Sequence, residues 1–196
     1  MGTKYKLTDD RAFFKPHQYP WAYDAWLAHE QSHWLHTELS MAEDVKDWQR
    51  KLSSEEKAFL TNIFRFFTQG DIDVAGAYVN NYLPYFKQPE VRMMLCGFAA
   101  REALHVAAYS HLIETLGMPE STYNEFLEYE AMREKHEYLL ELSGKNGTKE
   151  SVATNIAAFS AFTEGMQLFS SFIMLLNFPR HGKMKSMGQI VTWSIV

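Results

Sequence analysis

Three stretches of this sequence, about 53 to 84, 89 to 117 and 149 to 178, place apolar residues at the helical period with few Gly or Pro interruptions. Each is about 25 to 30 residues long, against roughly 12 for an average globular helix. Helices of that length joined by short loops bury their apolar faces only against one another, so the chain is read as an all-α bundle. Punctuation supports the boundaries. Ser53 and Glu56 form a capping-box pair, Pro84 and Pro89 bracket a turn, and Gly117-Met118-Pro119 and Phe178-Pro179 close helices. Shorter helices are expected at about 21 to 39, at about 120 to 142 before Gly144-Lys145-Asn146-Gly147, and from about 184 onward. With no repeat, low-complexity run, strand-like alternation or linker, residues 1–196 read as a single domain.

The third long stretch needs a separate decision, because Glu164 is its only charged residue between Ser151 and Asn177. Length alone would permit a membrane span. Asn155, Gln167, Ser170 and Ser171, with a mean hydropathy of −0.30 for the chain, favour the central helix of a bundle and no membrane. A composition 46% hydrophobic and 22% charged over 196 residues suffices for a core. The formal charge of −5 leaves no basic footprint for nucleic acid. A single cysteine, Cys96, excludes a disulfide scaffold or a thiolate zinc site within one chain and suits a reducing compartment. MGTKYK has Lys6 where an acylation signal needs Ser or Thr, and no apolar signal core follows, so the chain reads as cytoplasmic.

Each long stretch carries an acidic residue on its apolar face. Glu102 and His105 are three apart, and Tyr109 stands above them on the stripe of Leu95, Phe98, Ala99, Val106 and Leu112. Asp71 shares a face with Phe64, Phe67, Ala75 and Tyr78, whereas Asp73 points elsewhere and reads as solvated. Glu164 is the third. Alone, a Glu-x-x-His pair is a chance pattern and a buried Asp is a satisfied core residue. Together, three carboxylates in one core repel each other unless a cation lies between them. Oxygen ligands with an imidazole and no thiolate suit iron or manganese. Ferritin-like bundles build di-metal sites from two single carboxylates and two Glu-x-x-His pairs; this chain supplies Asp71, Glu164 and one such pair. His29, His33 and His36 share a polar helical face that reads as solvated. His111 faces away from His105, and His17, His136 and His181 read as loop or surface residues.

The segments FFTQGDIDV, REALHVAAY and AFTEGMQLFSSF, with 31 residues separating Asp71 from Glu102, together resemble the small, radical-generating subunit of class I ribonucleotide reductase. HWLHTELSMAEDVKDW is similar to the family's segment before the second helix, and the likeness runs from about residue 20 to the end. The resemblance implies a ferritin-like bundle and a di-iron or di-manganese centre that reacts with dioxygen. It implies Asp71, Glu102 and His105 as ligands of the metal nearer the tyrosine, Glu102 as a bridge, and Glu164 as a ligand of the second metal. Tyr109 matches the residue oxidised to a stable radical, and Trp34 matches the tryptophan that relays it through His105. Phe66, Phe67, Leu168 and Phe172 are candidates for a dry shell around the phenol. The implied partners are a second copy of the chain in a homodimer and the large catalytic subunit, which reduces ribonucleotides.

In the family, the sixth helix carries Arg-Asp-Glu-x-x-His, completing the second metal site and supplying an Asp to the relay. TWSI at 192 to 195 resembles the approach to that motif, and Val196 falls where the Arg is expected. The bundle is therefore expected to be truncated in its last core helix, with a complementing C-terminal fragment as a further partner. Two other readings stay open: a ferritin-like di-metal oxidase acting on another substrate, and a truncated interaction module that binds no metal.

Overall fold

The computed structural model describes residues 4–144 and 147–195, and no strand occurs among them. Lys145 and Asn146 of the expected closing run, and Val196, lie outside the described residues. The helices are α1 (Pro20–Gln31), α2 (Ala42–Arg50), α3 (Ser54–Ala77), α4 (Pro89–Thr115), α5 (Glu130–Gly144), α6 (Lys149–Arg180) and α7 (Lys185–Ser194). After α3 the chain continues through a π-helical turn, Tyr78–Tyr82, into Leu83–Tyr85. Within α6, the segment Ala157–Leu168 is π-helical and the segments on either side are α-helical.

Side-chain chemistry sets the starts of the long helices as expected. The Ser53 hydroxyl accepts from the Glu56 N–H at 3.2 Å while the Ser53 N–H donates to the Glu56 carboxylate at 2.9 Å, and Pro89 opens α4. Two local expectations fail for tertiary reasons, and one helix was not foreseen. The first helix was expected to reach residue 39 but stops at Gln31, because Arg101 of α4 donates to the His29 and Ser32 carbonyls at 2.8 and 2.9 Å and caps it. His29, His33 and His36 consequently share no helical face. The helix expected from 120 begins only at Glu130. Two 3₁₀ turns precede it, held by the Arg65–Glu125 ion pair and a 3.1 Å bond from Arg65 to the Tyr129 hydroxyl. Lastly, α2 was not foreseen. Its buried Asp44 accepts from the N–H groups of Ser186 and Met187 at 3.0 and 2.7 Å, and Asp47 accepts from Met184 at 2.9 Å, so α2 caps the start of α7.

The core consists of two apolar clusters. One gathers Leu60, Phe64 and Phe67 of α3, Tyr109 and Leu112 of α4, Phe172 and Leu175 of α6, and Met187 and Ile190 of α7. The other gathers Val74 and Ala77 of α3, Val91 and Leu95 of α4, Phe159 of α6, Ala22 of α1 and Leu139 of α5. Thus α3, α4 and α6 each run from one cluster into the other. Lys149–Arg180 is long and apolar enough to cross a membrane, yet Phe159, Phe172 and Leu175 bury one side of it in these clusters. Pro179 near its end packs onto Gly188 of α7, where a Cβ would overlap the ring.

The N-terminal arm is tied down by a buried pair, Arg11 with Glu90, and Glu90 also accepts from the Gln18 and Tyr19 N–H groups at 2.6 and 2.8 Å. Burial works to raise the Glu90 carboxyl, but these amides, its own N–H and Arg11 hold it below the ordinary value of 4.5. Glu90→Gln leaves Arg11 buried without a counter-charge and is expected to cost about 3 kcal/mol near neutral pH. A carboxyl held low stabilises the fold above its unfolded pKa and loses that contribution as pH falls through its folded one. The stability gap between wild type and Glu90→Gln in urea unfolding should therefore be full at neutral pH and narrow below about 4.5.

Candidate metal centre

Asp71, Glu102 and His105 lie where α3 and α4 pass between the two clusters, and they offer ligand atoms that all fall within 4.8 Å of one another. Asp71 is 3% exposed, and its Oδ2 has no hydrogen-bond partner. His105 Nδ1 is 3.3 Å from Glu102 Oε2. Glu164 lines one cavity with Asp71, Glu102, Phe66, Phe67, Gly70, Thr163 and Leu168, but stands outside the close trio. Burial, and then the charges of Glu102 and Glu164, push the Asp71 carboxyl well above the ordinary carboxylate range. Burial and the Glu102 charge push Glu164 up to about 7. A buried carboxylate oxygen without a donor, facing two more acids and an imidazole, fits a cation, and this donor set suits iron or manganese.

Tyr109 is 1% exposed; the Ser194 hydroxyl is near its own, but donates to the Ile190 carbonyl at 2.9 Å and leaves the phenol without a well-formed hydrogen bond. Burial and the Asp71 charge raise its pKa well above the ordinary phenol value; Ser194 opposes and Glu102 adds to the shift. The Phe67 ring packs tilted, 4.7 Å from the phenol, and Phe172 lies 5.5 Å from Phe67, while Phe66 and Leu168 line the carboxylate cavity. The expected apolar shell is thus in place. Trp34, 4% exposed, stacks on His105 at 6.1 Å and 23°, and its Nε1 donor finds no acceptor among the described residues.

Sequence reasoning misplaced two polar residues and missed several others. Asp73 is not solvated: it accepts from Gln69 Nε2 at 2.8 Å and lies 2.8 Å from His136 Nδ1. His136, read as a surface or loop residue, faces inward from α5 to make that contact. Trp193 of α7 packs 5.5 Å from Trp34. The π-helical stretch around Glu164 has one legible signal, Gly165, where a Cβ would come within 3.0 Å of the Ser160 carbonyl oxygen; the Thr163 hydroxyl also donates to the Ala158 carbonyl at 3.2 Å.

An all-α bundle that brings these carboxylates and an imidazole to one place is of the ferritin-like kind. The model for the ribonucleotide reductase small chain matches residues 11–196, and the chain belongs to that family. It is 56% identical, over 97% of its own length, to a protein of Invertebrate iridescent virus 6 described as a probable ribonucleoside-diphosphate reductase small subunit. Its fold is similar to the ribonucleotide reductase R2 subunit of Clostridium botulinum, with a TM-score of 0.81, 23% identity and coverage of 89% of this chain and 56% of that one. It is also similar to the dimanganese(II)-NrdF of Streptococcus sanguinis, with a TM-score of 0.77, 21% identity and coverage of 96% and 65%. The chain spans 56% of the viral relative, about half the length of the curated proteins it matches.

Asp71→Asn removes one of three mutually repelling acids while keeping its shape. The metal-free variant should melt above wild type, by about 1 to 2 kcal/mol in stability. Its manganese(II) uptake, measured calorimetrically, should fall at least tenfold. A lower melting temperature with unchanged uptake would remove Asp71 from the site.

Proposed function

We propose that this chain is the metal-holding portion of a ribonucleoside-diphosphate reductase small subunit, and that it generates a radical at Tyr109 for use by a large catalytic subunit. The carrying observation is the close approach of Asp71, Glu102 and His105, with the buried Tyr109 hydroxyl in the reach of the Asp71 charge. In this reading Asp71, Glu102, His105 and Glu164 hold two iron or manganese ions. When bound, the metal pair supplies oxidising power drawn from dioxygen.

The chain's own residues do the rest. Burial keeps the Tyr109 phenol protonated, so loss of an electron must be accompanied by loss of the hydroxyl proton. Asp71, and after it Glu102, are the acids whose charges Tyr109 senses, and in this reading they face the departing proton. Phe67 and Phe172 exclude water and reductants from the resulting radical. Trp34, stacked on His105, is the exit of an electron path toward the protein surface and the large subunit.

The second metal needs ligands that Asp71, Glu102, His105 and Glu164 do not provide. An Arg-Asp-Glu-x-x-His segment would provide them, and its Asp would accept from the orphaned Trp34 Nε1. The assembly is proposed to be a cytoplasmic homodimer docked to the large subunit. Coexpression with such a segment should give two metals per protomer by elemental analysis and a tyrosyl signal by electron paramagnetic resonance. Tyr109→Phe should abolish the signal and leave the metal content unchanged. Oxygen-dependent turnover that survives Tyr109→Phe, with no radical at any stage, would transfer the chain to the di-metal oxidases. Absence of metal with and without the segment would leave an interaction module.

A further inference from the structure

We propose that Trp193 is a second electron carrier, paired with Trp34 and placed between it and the surface. Among the described residues Trp34 has two ring contacts: it stacks on His105 at 6.1 Å and 23°, and it packs against Trp193 at 5.5 Å and 39°. Trp34 is 4% exposed, so its ring offers almost no area to a docking protein. Trp193 packs on the edge of the same core cluster and is only half-buried. An electron path that left the protein at Trp34 would cross the last layer without a carrier, and Trp193 supplies one. Electron exchange between aromatic rings falls steeply with separation, so two indoles packed this closely exchange far faster than the buried one does with a molecule outside.

The step is a one-electron exchange. An oxidised Trp34 ring gains the electron that Trp193 loses, no bond forms or breaks, and both indoles keep their N–H protons. Trp34 Nε1 has no acceptor among the described residues, so loss of an electron leaves a radical cation, and refilling it moves no proton. The Tyr109 radical supplies the demand: it takes an electron through His105 and Trp34 and recovers its hydroxyl proton, while Trp193 takes the replacement electron from the large subunit. Exchange between the two tryptophans stands on their contact alone, whereas its service to Tyr109 rests on the function proposed above.

The fold holds the pair in register. The segment that follows Trp34 leads into α2, and this stretch clasps the start of α7: Asp44 accepts from the Ser186 and Met187 N–H groups, Asp47 accepts from the Met184 N–H, and the Ser186 hydroxyl donates to the Ser40 carbonyl at 2.8 Å. Met187, Ile190 and Val191 then seat α7 in the core through aliphatic side chains. Trp193 is the one aromatic residue of that helix, and its ring meets Trp34.

The first test treats the metal-free full chain with photogenerated ruthenium(III) tris-bipyridine and locates the oxidation products by peptide mass spectrometry. Trp21, 55% exposed, is the internal reference. In wild type Trp34 should be oxidised despite its burial. Its yield relative to Trp21 should fall at least tenfold in Trp193→Phe and return in Trp193→Tyr, which keeps an oxidisable ring. No product at Trp34 in wild type, or an equal or greater yield in Trp193→Phe, overturns the pair. A loss that Trp193→Tyr fails to restore marks a packing role and overturns it as well. The second test follows the tyrosyl paramagnetic signal of the metal-loaded protein during reduction by ferrocyanide, a highly charged anion that the apolar core excludes. The signal should decay at least tenfold more slowly in Trp193→Phe than in wild type, and equal decay overturns the connection to Tyr109. If no signal forms in wild type, the function proposed above fails, and the photo-oxidation result stands by itself.

Discussion

Asp71, Glu102 and Glu164 sit where three helices leave one apolar cluster and enter the other, and the remainder of the fold is arranged around that seam. Burial and neighbouring acid charge raise the pKa of Asp71 and Glu164, and acids so placed add no apolar packing, so each cluster must hold without help from the middle. Phe64, Phe67, Leu112 and Leu175 do this at one end and Val74, Leu95 and Phe159 at the other. Long helices are the economical way to span two clusters and the polar interval between them. The same arrangement positions the chemistry, since Tyr109 stands on the apolar side of the seam within reach of the Asp71 charge.

The seam was legible in the sequence because helical periodicity converts spacing into facing. Glu102, His105 and Tyr109 fall on one stripe by arithmetic alone, and Asp71 separates from Asp73 by the same arithmetic. Periodicity says which way a residue faces and is silent on what awaits it there. Asp73 was accordingly assigned to solvent, although it faces away from Asp71 only to meet His136 on α5. The helix that brings His136 inward could not be placed from the sequence, because Arg65 of α3 delays its start through contacts 60 or more residues away.

Tertiary capping accounts for the other differences. Arg101 ends α1 from outside, and Asp44 and Asp47 begin α7 from α2. In each case the capping group lies far along the chain from the helix it caps, so no local signature predicts it. The fold class and the facing of the acidic residues depend on local pattern and were readable. Helix ends and polar pairings depend on which distant side chain arrives.

The π-helical segment gives the site an asymmetry of another kind. Asp71 and Glu102 project from regular α-helix, whereas Glu164 projects from a stretch whose backbone bonds run five residues apart and whose geometry tolerates little bulk at Gly165. A widened turn can pass its extra residue along the helix, and a side chain riding on it can shift position while the ends of the helix stay put. Two walls of the pocket are thus regular α-helix and the third is a widened one. Glu164 therefore meets the pocket from a backbone register different from the one that sets Asp71, Glu102 and His105.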